Sequence, residues 1–257
     1  MKQVLPVLML LGFASSAASQ EPAKIPNPAD VKDSTETQPA TSKTDEPNVP
    51  PEAVDLLSGD FEKQWKVFAA EPSPSVWKIV REPAEAEPVL VCTGEIKGFL
   101  ATVEPYDDFE LKFEWKYPKD ANGNSGILVY TQDEERIWPT SVQIQLHQPK
   151  AGSIFPSGDA MTDNTRDVDL NLAHPVNMWN EGRIISRKGR LTVEINGKKA
   201  GEVTGARPSA GRIALQSEGS EVHFRNLKVR KLPPEPAPAA APEAPAATPP
   251  KPDAAPK

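Results

Sequence analysis

The 257-residue chain carries a formal net charge of −7, which gives no electrostatic basis for binding nucleic acid or an anionic membrane surface. Its single cysteine, Cys92, excludes an internal disulfide, so the fold must stand on its core. The three histidines, His147, His174 and His223, are scattered and make no zinc-binding spacing with it.

Lys2, the apolar run from Val4 to Phe13 and the small residues up to Ser19 have the layout of a cleaved signal peptide, residues 1–19. The run is shorter than the roughly 20 residues a membrane span requires, and no later segment is long and apolar enough for one. A secreted or periplasmic protein is therefore expected. Residues 20–54 are rich in Pro, Thr and charged side chains and cannot bury enough surface to offset ordering entropy, so they are expected to be a disordered linker. Residues 233–257 hold ten Pro and nine Ala, a composition that favours solvated extended chain and a second disordered tail. Both arms read as tethers near a cell envelope.

One folded domain is expected over 55–232. Cys92 follows Val89, Leu90 and Val91 and reads as a small buried hydrophobe rather than a nucleophile. Phe109, Leu111, Phe113, Trp115 and Tyr117 alternate with Glu110, Lys112, Glu114 and Lys116, which predicts a strand with one core face and one wet face. Gly126 to Thr131 predicts a short apolar strand. Val142, Ile144 and Leu146 alternate with Gln143, Gln145 and His147. Gln148 to Val176 shows little periodicity and reads as a long loop, either functional or plain surface. Leu191 to Ile195 alternates up to Asn196-Gly197, a hairpin signal, with Lys198 to Val203 as the return strand. Arg212 to Gln216 and Val222 to Arg230 predict two more strands. Many short strands and no long amphipathic helix imply an all-β sandwich or jelly roll of antiparallel sheets. Trp65, Trp77, Trp115 and Trp179 read as core.

Several segments carry a family likeness: Gly98-Phe99-Leu100, Tyr106 to Leu111, Gly123-Asn124-Ser125-Gly126-Ile127, Trp138-Pro139, Val142 to Leu146, Trp179-Asn180, Asn196-Gly197, Gly211 to Gln216 and Phe224 to Leu227. In order and spacing the chain resembles the bacterial 3-keto-disaccharide hydrolase family from about Leu56 to Leu232. That resemblance implies a concanavalin-A-like jelly roll with one concave sheet lined by sugar-binding polar groups. Gln143, Gln145 and His147 would project from one strand face, and amides both donate to and accept from hydroxyls. Asn124 and Ser125 are either ligand-facing groups at the rim or turn chemistry. Trp138 either stacks on a sugar face or packs. Arg212 and Gln216 share a polar face, where Arg212 either meets ligand hydroxyls or pairs with an acid.

The family commonly has Glu where this chain has Gln143, and an amide takes no proton at working pH. Another carboxylate would then have to act. Asp159, Asp163, Asp167, Asp169 and Glu218 are the candidates, with Asp163 and Glu218 put forward as catalytic. No metal ligand is assigned; the cofactor stays open, a divalent cation included. The chain is thus expected to be a glycoside-processing enzyme acting on 3-keto-disaccharides, with a non-catalytic carbohydrate-binding module as the alternative that Gln143 favours, and a sugar-free adhesive sandwich as the third reading.

Overall fold

The computed structural model describes residues 51–71, 76–81, 86–169 and 171–234. The signal peptide, nearly all of the linker and the Pro/Ala tail lie outside these residues. Fourteen strands follow one another: β1 Val54–Asp55, β2 Trp65–Ala69, β3 Trp77–Val80, β4 Val89–Cys92, β5 Gly98–Tyr106, β6 Phe109–Lys116, β7 Gly126–Thr131, β8 Ser141–Gln145, β9 Ile154–Ser157, β10 Asn180–Arg187, β11 Arg190–Ile195, β12 Lys198–Val203, β13 Gly211–Ser217 and β14 Val222–Lys231. Among the described residues the helices are one turn, Phe61–Gln64, and a 3-10 turn, Gln148–Lys150, and none is long and apolar enough to cross a membrane.

All strand pairings are antiparallel, in two sheets, as the alternation predicts. One sheet runs β12-β11-β10-β6-β14-β4-β3, with β1 added on β14. The other, which we call the amide sheet, runs β2-β5-β13-β7-β8-β9. The core lies between them. Leu111, Phe113 and Trp115 on β6 and Val193 on β11 meet Ile127, Ile144 and Leu215 of the amide sheet in one continuous cluster. Trp65, Trp77 and Trp115 are buried as expected, and so is Cys92, whose thiol is pushed up by burial. Asn196 and Gly197 both take positive φ, 49° and 74°, the conformation a two-residue hairpin turn requires.

Two expectations are corrected, and one strand, β10, goes unread in the sequence. Trp179 is only half-buried and lies on the outer face, with the Lys116 ammonium 4.5 Å and the Arg225 guanidinium 4.1 Å from its ring centre. The segment after Gln148 is not all loop, because β9 joins the amide sheet at its edge, where Pro156 is tolerated. β10 sits centrally although its inward positions include Gly182 and Ser186. A Cβ on Gly182 would lie 2.2 Å from the Phe113 ring, so the glycine makes room for that ring. Ser186 binds the Tyr130 hydroxyl at 2.7 Å across the core.

The outer face of the larger sheet is charged. Glu110, 5% exposed, accepts from Arg183 at 2.7 Å and also binds Arg230. Burial pushes its carboxyl up, but the Arg183 hydrogen bond and the charges of Lys112, Arg183 and Arg230 outweigh it and leave it lowered. A carboxyl lowered on folding stabilises the protein above its unfolded pKa, and that contribution disappears as pH falls through the folded value. Glu110→Gln is therefore expected to be less stable than wild type above about pH 5, with the gap closing at lower pH; urea titrations across the acid range read this directly. Gly182→Ala is expected to lose about 1–3 kcal/mol in the same assay at neutral pH, since the Phe113 ring must move.

Candidate functional site

The amide sheet has a second apolar cluster on the face turned away from the core: Phe99, Ala101, Leu128 and Ala214, with Phe68 packed against it. Cross-strand register assigns the polar residues to this same face. Leu128 pairs with Gln143 on one side and Ala214 on the other, Gln216 pairs with Phe99, and Gly126 pairs with Gln145. Alternation sends Ile127, Ile144 and Leu215 inward, so the glutamines must point outward. Gln143, 5% exposed, and the half-buried Gln145 thus lie on the outer side of the sheet and not beneath the opposing one.

The glutamines meet. The Gln143 Nε2 lies 3.4 Å from Gln216 Oε1 and 3.5 Å from Gln145 Oε1. Gln145 Oε1 also accepts from the backbone amides of Leu146, at 3.0 Å, and His147, at 3.2 Å, which fixes its orientation. Gln216 is 2% exposed, and its Nε2 is buried with no hydrogen-bond partner. A buried donor left unmet costs about 1–3 kcal/mol, so such a group calls for a partner. Asn124 Oδ1, at the start of β7, is a buried acceptor in the same condition.

The Gly123-Asn124-Ser125-Gly126 segment explains itself residue by residue. A Cβ on Gly123 would strike the Tyr117 ring at 2.2 Å. Ser125 is fully buried and its hydroxyl donates to the Gln216 carbonyl at 2.7 Å, so it fastens β7 to β13 and is not a ligand group, contrary to one of the two readings of its position. A Cβ on Gly126 would lie 3.0 Å from Gln216 Oε1 and 3.1 Å from Gln143 Nε2, so the missing side chain leaves space between the amides.

Gln145 and His147 open onto a cavity of about 240 Å³ that Lys150, Ser153, Phe155 and Asp167 also line. Phe155 is the cross-strand partner of Gln143, which makes the cavity continuous with the amide group. Asp167 and Asp169 pair with Lys150, at 3.1 and 3.5 Å. Glu218 follows Gln216 by two residues, past the end of β13. It is half-buried, burial pushes its carboxyl up against the weaker opposing charge of Lys97, and among the described residues nothing hydrogen-bonds to it.

The other expected residues lie apart. Arg212 is at the far end of β13, where it donates to the Thr102 carbonyl at 2.9 Å and approaches Asp133 at 3.6 Å, the acid-pairing alternative. Trp138, 39% exposed, is on the β7–β8 connection, at the opposite end of that hairpin from Gly126 and Gln145. Asp163 is held by Thr204 and Arg207 beside the end of β12, and Asp159 by Arg136 at 2.9 Å. Neither joins the glutamines. Phe99, Leu128 and Phe155 were missed because an apolar residue on an outer face reads in sequence as core. Among the described residues no group of three His, Cys, Asp or Glu side chains is arranged to hold a metal ion.

A family model described as a 3-keto-alpha-glucoside-1,2-lyase-like domain matches residues 52–230. Among solved structures, a candidate glycosyl hydrolase of Parabacteroides distasonis ATCC 8503 is 22% identical, with a TM-score of 0.52 over 71% of this chain and 100% of its own. A carbohydrate-binding module of Bacillus subtilis is 10% identical, with a TM-score of 0.49 over 66% of this chain and 96% of its own. The Bacillus licheniformis beta-glucanase, also 10% identical, scores 0.49 over 71% and 99%. These are likenesses of fold. No curated protein sequence matches the chain. Gly126→Ala is expected to weaken any ligand held by the amides about tenfold while leaving the melting temperature within a few degrees, because its Cβ would fill the gap between Gln143 and Gln216; calorimetric titration and a thermal melt on the same sample separate the two effects.

Proposed function

The chain belongs to the family of 3-keto-alpha-glucoside-1,2-lyase-like domains, and on that premise we propose that it binds a 3-keto-glucoside on the outer face of the amide sheet and cleaves it by elimination. The observation that carries this reading is the buried, unmet Gln216 amide beside Gln143, Gln145 and the side-chain gap at Gly126. Three amides offer donors and acceptors suited to the hydroxyls of a neutral sugar, and they carry no charge that would favour an ionic ligand. The proposal includes export, supported by the Lys2 to Ser19 pattern.

A ketone at C3 acidifies the proton on C2. A base removes that proton, and its electron pair enters the C2–C3 enolate. Collapse of the enolate forms the C1=C2 double bond and breaks the C1–O bond, and the departing oxygen takes up a proton. The products are an unsaturated 3-keto sugar and an alcohol, and water can then add across the double bond. Gln143 cannot serve as the base. Glu218 can: its raised carboxyl sits two residues beyond Gln216 with no hydrogen bond to hold it in the ionised form. Asp163, tied to Arg207 elsewhere, drops out of this scheme.

One observation favours a second reading, in which the domain binds sugar without cleaving it. The centre of the amide group is the neutral Gln143, where the resembled family commonly has an acid. The two readings part on a single assay. With a 3-keto-alpha-glucoside, wild type is expected to produce the absorbance of the conjugated ketone, and Glu218→Gln to slow it by about 10²–10⁴ with little change in KM. Saturable binding with no turnover in wild type, and turnover gained only by Gln143→Glu, would establish the binding module instead.

A further inference from the structure

At the other end of the same face lies a depression of about 390 Å³, which holds no group used so far in the chemistry. Its floor is Phe68, Phe99 and Ala101. The two rings stack at 5.0 Å between centres and 12° between planes. Its rim is charged and acidic on balance: Asp133 pairs with Lys66 at 3.1 Å and with Arg212 at 3.6 Å, and Glu134 and Glu135 line it as well. Such a rim turns away an anionic ligand, and the stacked rings of the floor offer a flat apolar surface beside the unmet Thr131 hydroxyl. Its chemistry suits a flat, uncharged, apolar group.

The depression is continuous with the amides. Phe99 is the cross-strand partner of Gln216, and the floor continues from Ala101 through Ala214 and Leu128 to Gln143. Strand spacing of about 4.8 Å puts Phe99 one step from Gln216 and about 14 Å, three steps, from Gln145. A hexose over the amides would therefore direct its C1 substituent onto the phenylalanines if it lies across the strands with C1 towards β5.

Resting on the sugar-binding reading above, we propose that the Phe68–Phe99 depression is the subsite for the leaving group, and that this group is an aromatic aglycone rather than a second sugar. The face then divides into a polar half that orients the keto sugar and an apolar half that selects for aryl glycosides. Phe68, on the edge strand and only partly buried, is the specificity-determining residue.

The test uses the full chain carrying Glu218→Gln, so that ligands persist, and titrates it with three probes: 4-nitrophenyl 3-keto-alpha-glucoside, methyl 3-keto-alpha-glucoside and a 3-keto-disaccharide. The aryl glucoside is expected to bind about tenfold more tightly than the methyl glucoside. Adding Phe68→Ala should erase that margin while leaving the methyl glucoside unchanged, and Phe68→Trp should restore it. Retained affinity for the methyl glucoside reports that each variant is folded. Equal affinity for the aryl and methyl glucosides, or tighter binding of the disaccharide than of the aryl glucoside, overturns the aryl subsite and leaves the sugar site standing. Failure of all three probes to bind overturns the sugar site, and the subsite with it.

Discussion

The arrangement on the amide sheet depends on one missing side chain. Gly126 stands in register between Gln216 on β13 and Gln145 on β8, and any Cβ there would press on the Gln216 and Gln143 amides. Small residues continue the theme at Ala101 and Ala214. An outer sheet face built of large side chains would close over itself. This one keeps a recess, and the recess leaves the Gln216 donor both buried and unmet. A polar group in that condition raises the energy of the ligand-free protein, which is a usual state of affairs at a binding site.

The two outer faces divide the work of the sandwich. On the larger sheet, charges pair across strands around Glu110 and Glu114, and two cations cover the half-buried Trp179. The carboxylates of these pairs are largely buried and their cations partly exposed, and together they give the sheet a self-compensated charged surface. The amide sheet does the reverse. Its outer face is phenylalanine, alanine, leucine and glutamine, all of them buried except Phe68 and Gln145, which are partly exposed. The asymmetry sets the two outer faces apart, and the proposed sugar site lies on the amide face.

Much of the fold was legible because most strands alternate cleanly. β6 shows it from Phe109 to Lys116, and the β11–β12 hairpin adds Asn196-Gly197. β10 was illegible for a packing reason: its inward positions include Gly182, which yields to the Phe113 ring, and Ser186, which binds Tyr130. Neither carries a hydrophobic signal. β9 was hidden by Pro156, and Trp179 was misplaced because bulk alone does not distinguish a core ring from one covered by cations. At the site, alternation along β8 placed Gln143 and Gln145, and Gln216 followed from β13. Arg212 could not be placed the same way, because a register shift between Arg212 and Ala214 and the length of β13 put it at the other end of the face. Ser125 and Asp163 needed their partners, Gln216 and Arg207, which lie far off in sequence.

Pro156 has one more effect. Ile154 directs its amide away from β8, to the Arg166 carbonyl, and alternation gives residue 156 the same outward direction. Proline has no hydrogen to offer there. The border of β9 therefore offers a stray strand a broken ladder, with Ile154 already bonded to Arg166 and no amide hydrogen at Pro156 opposite Val142.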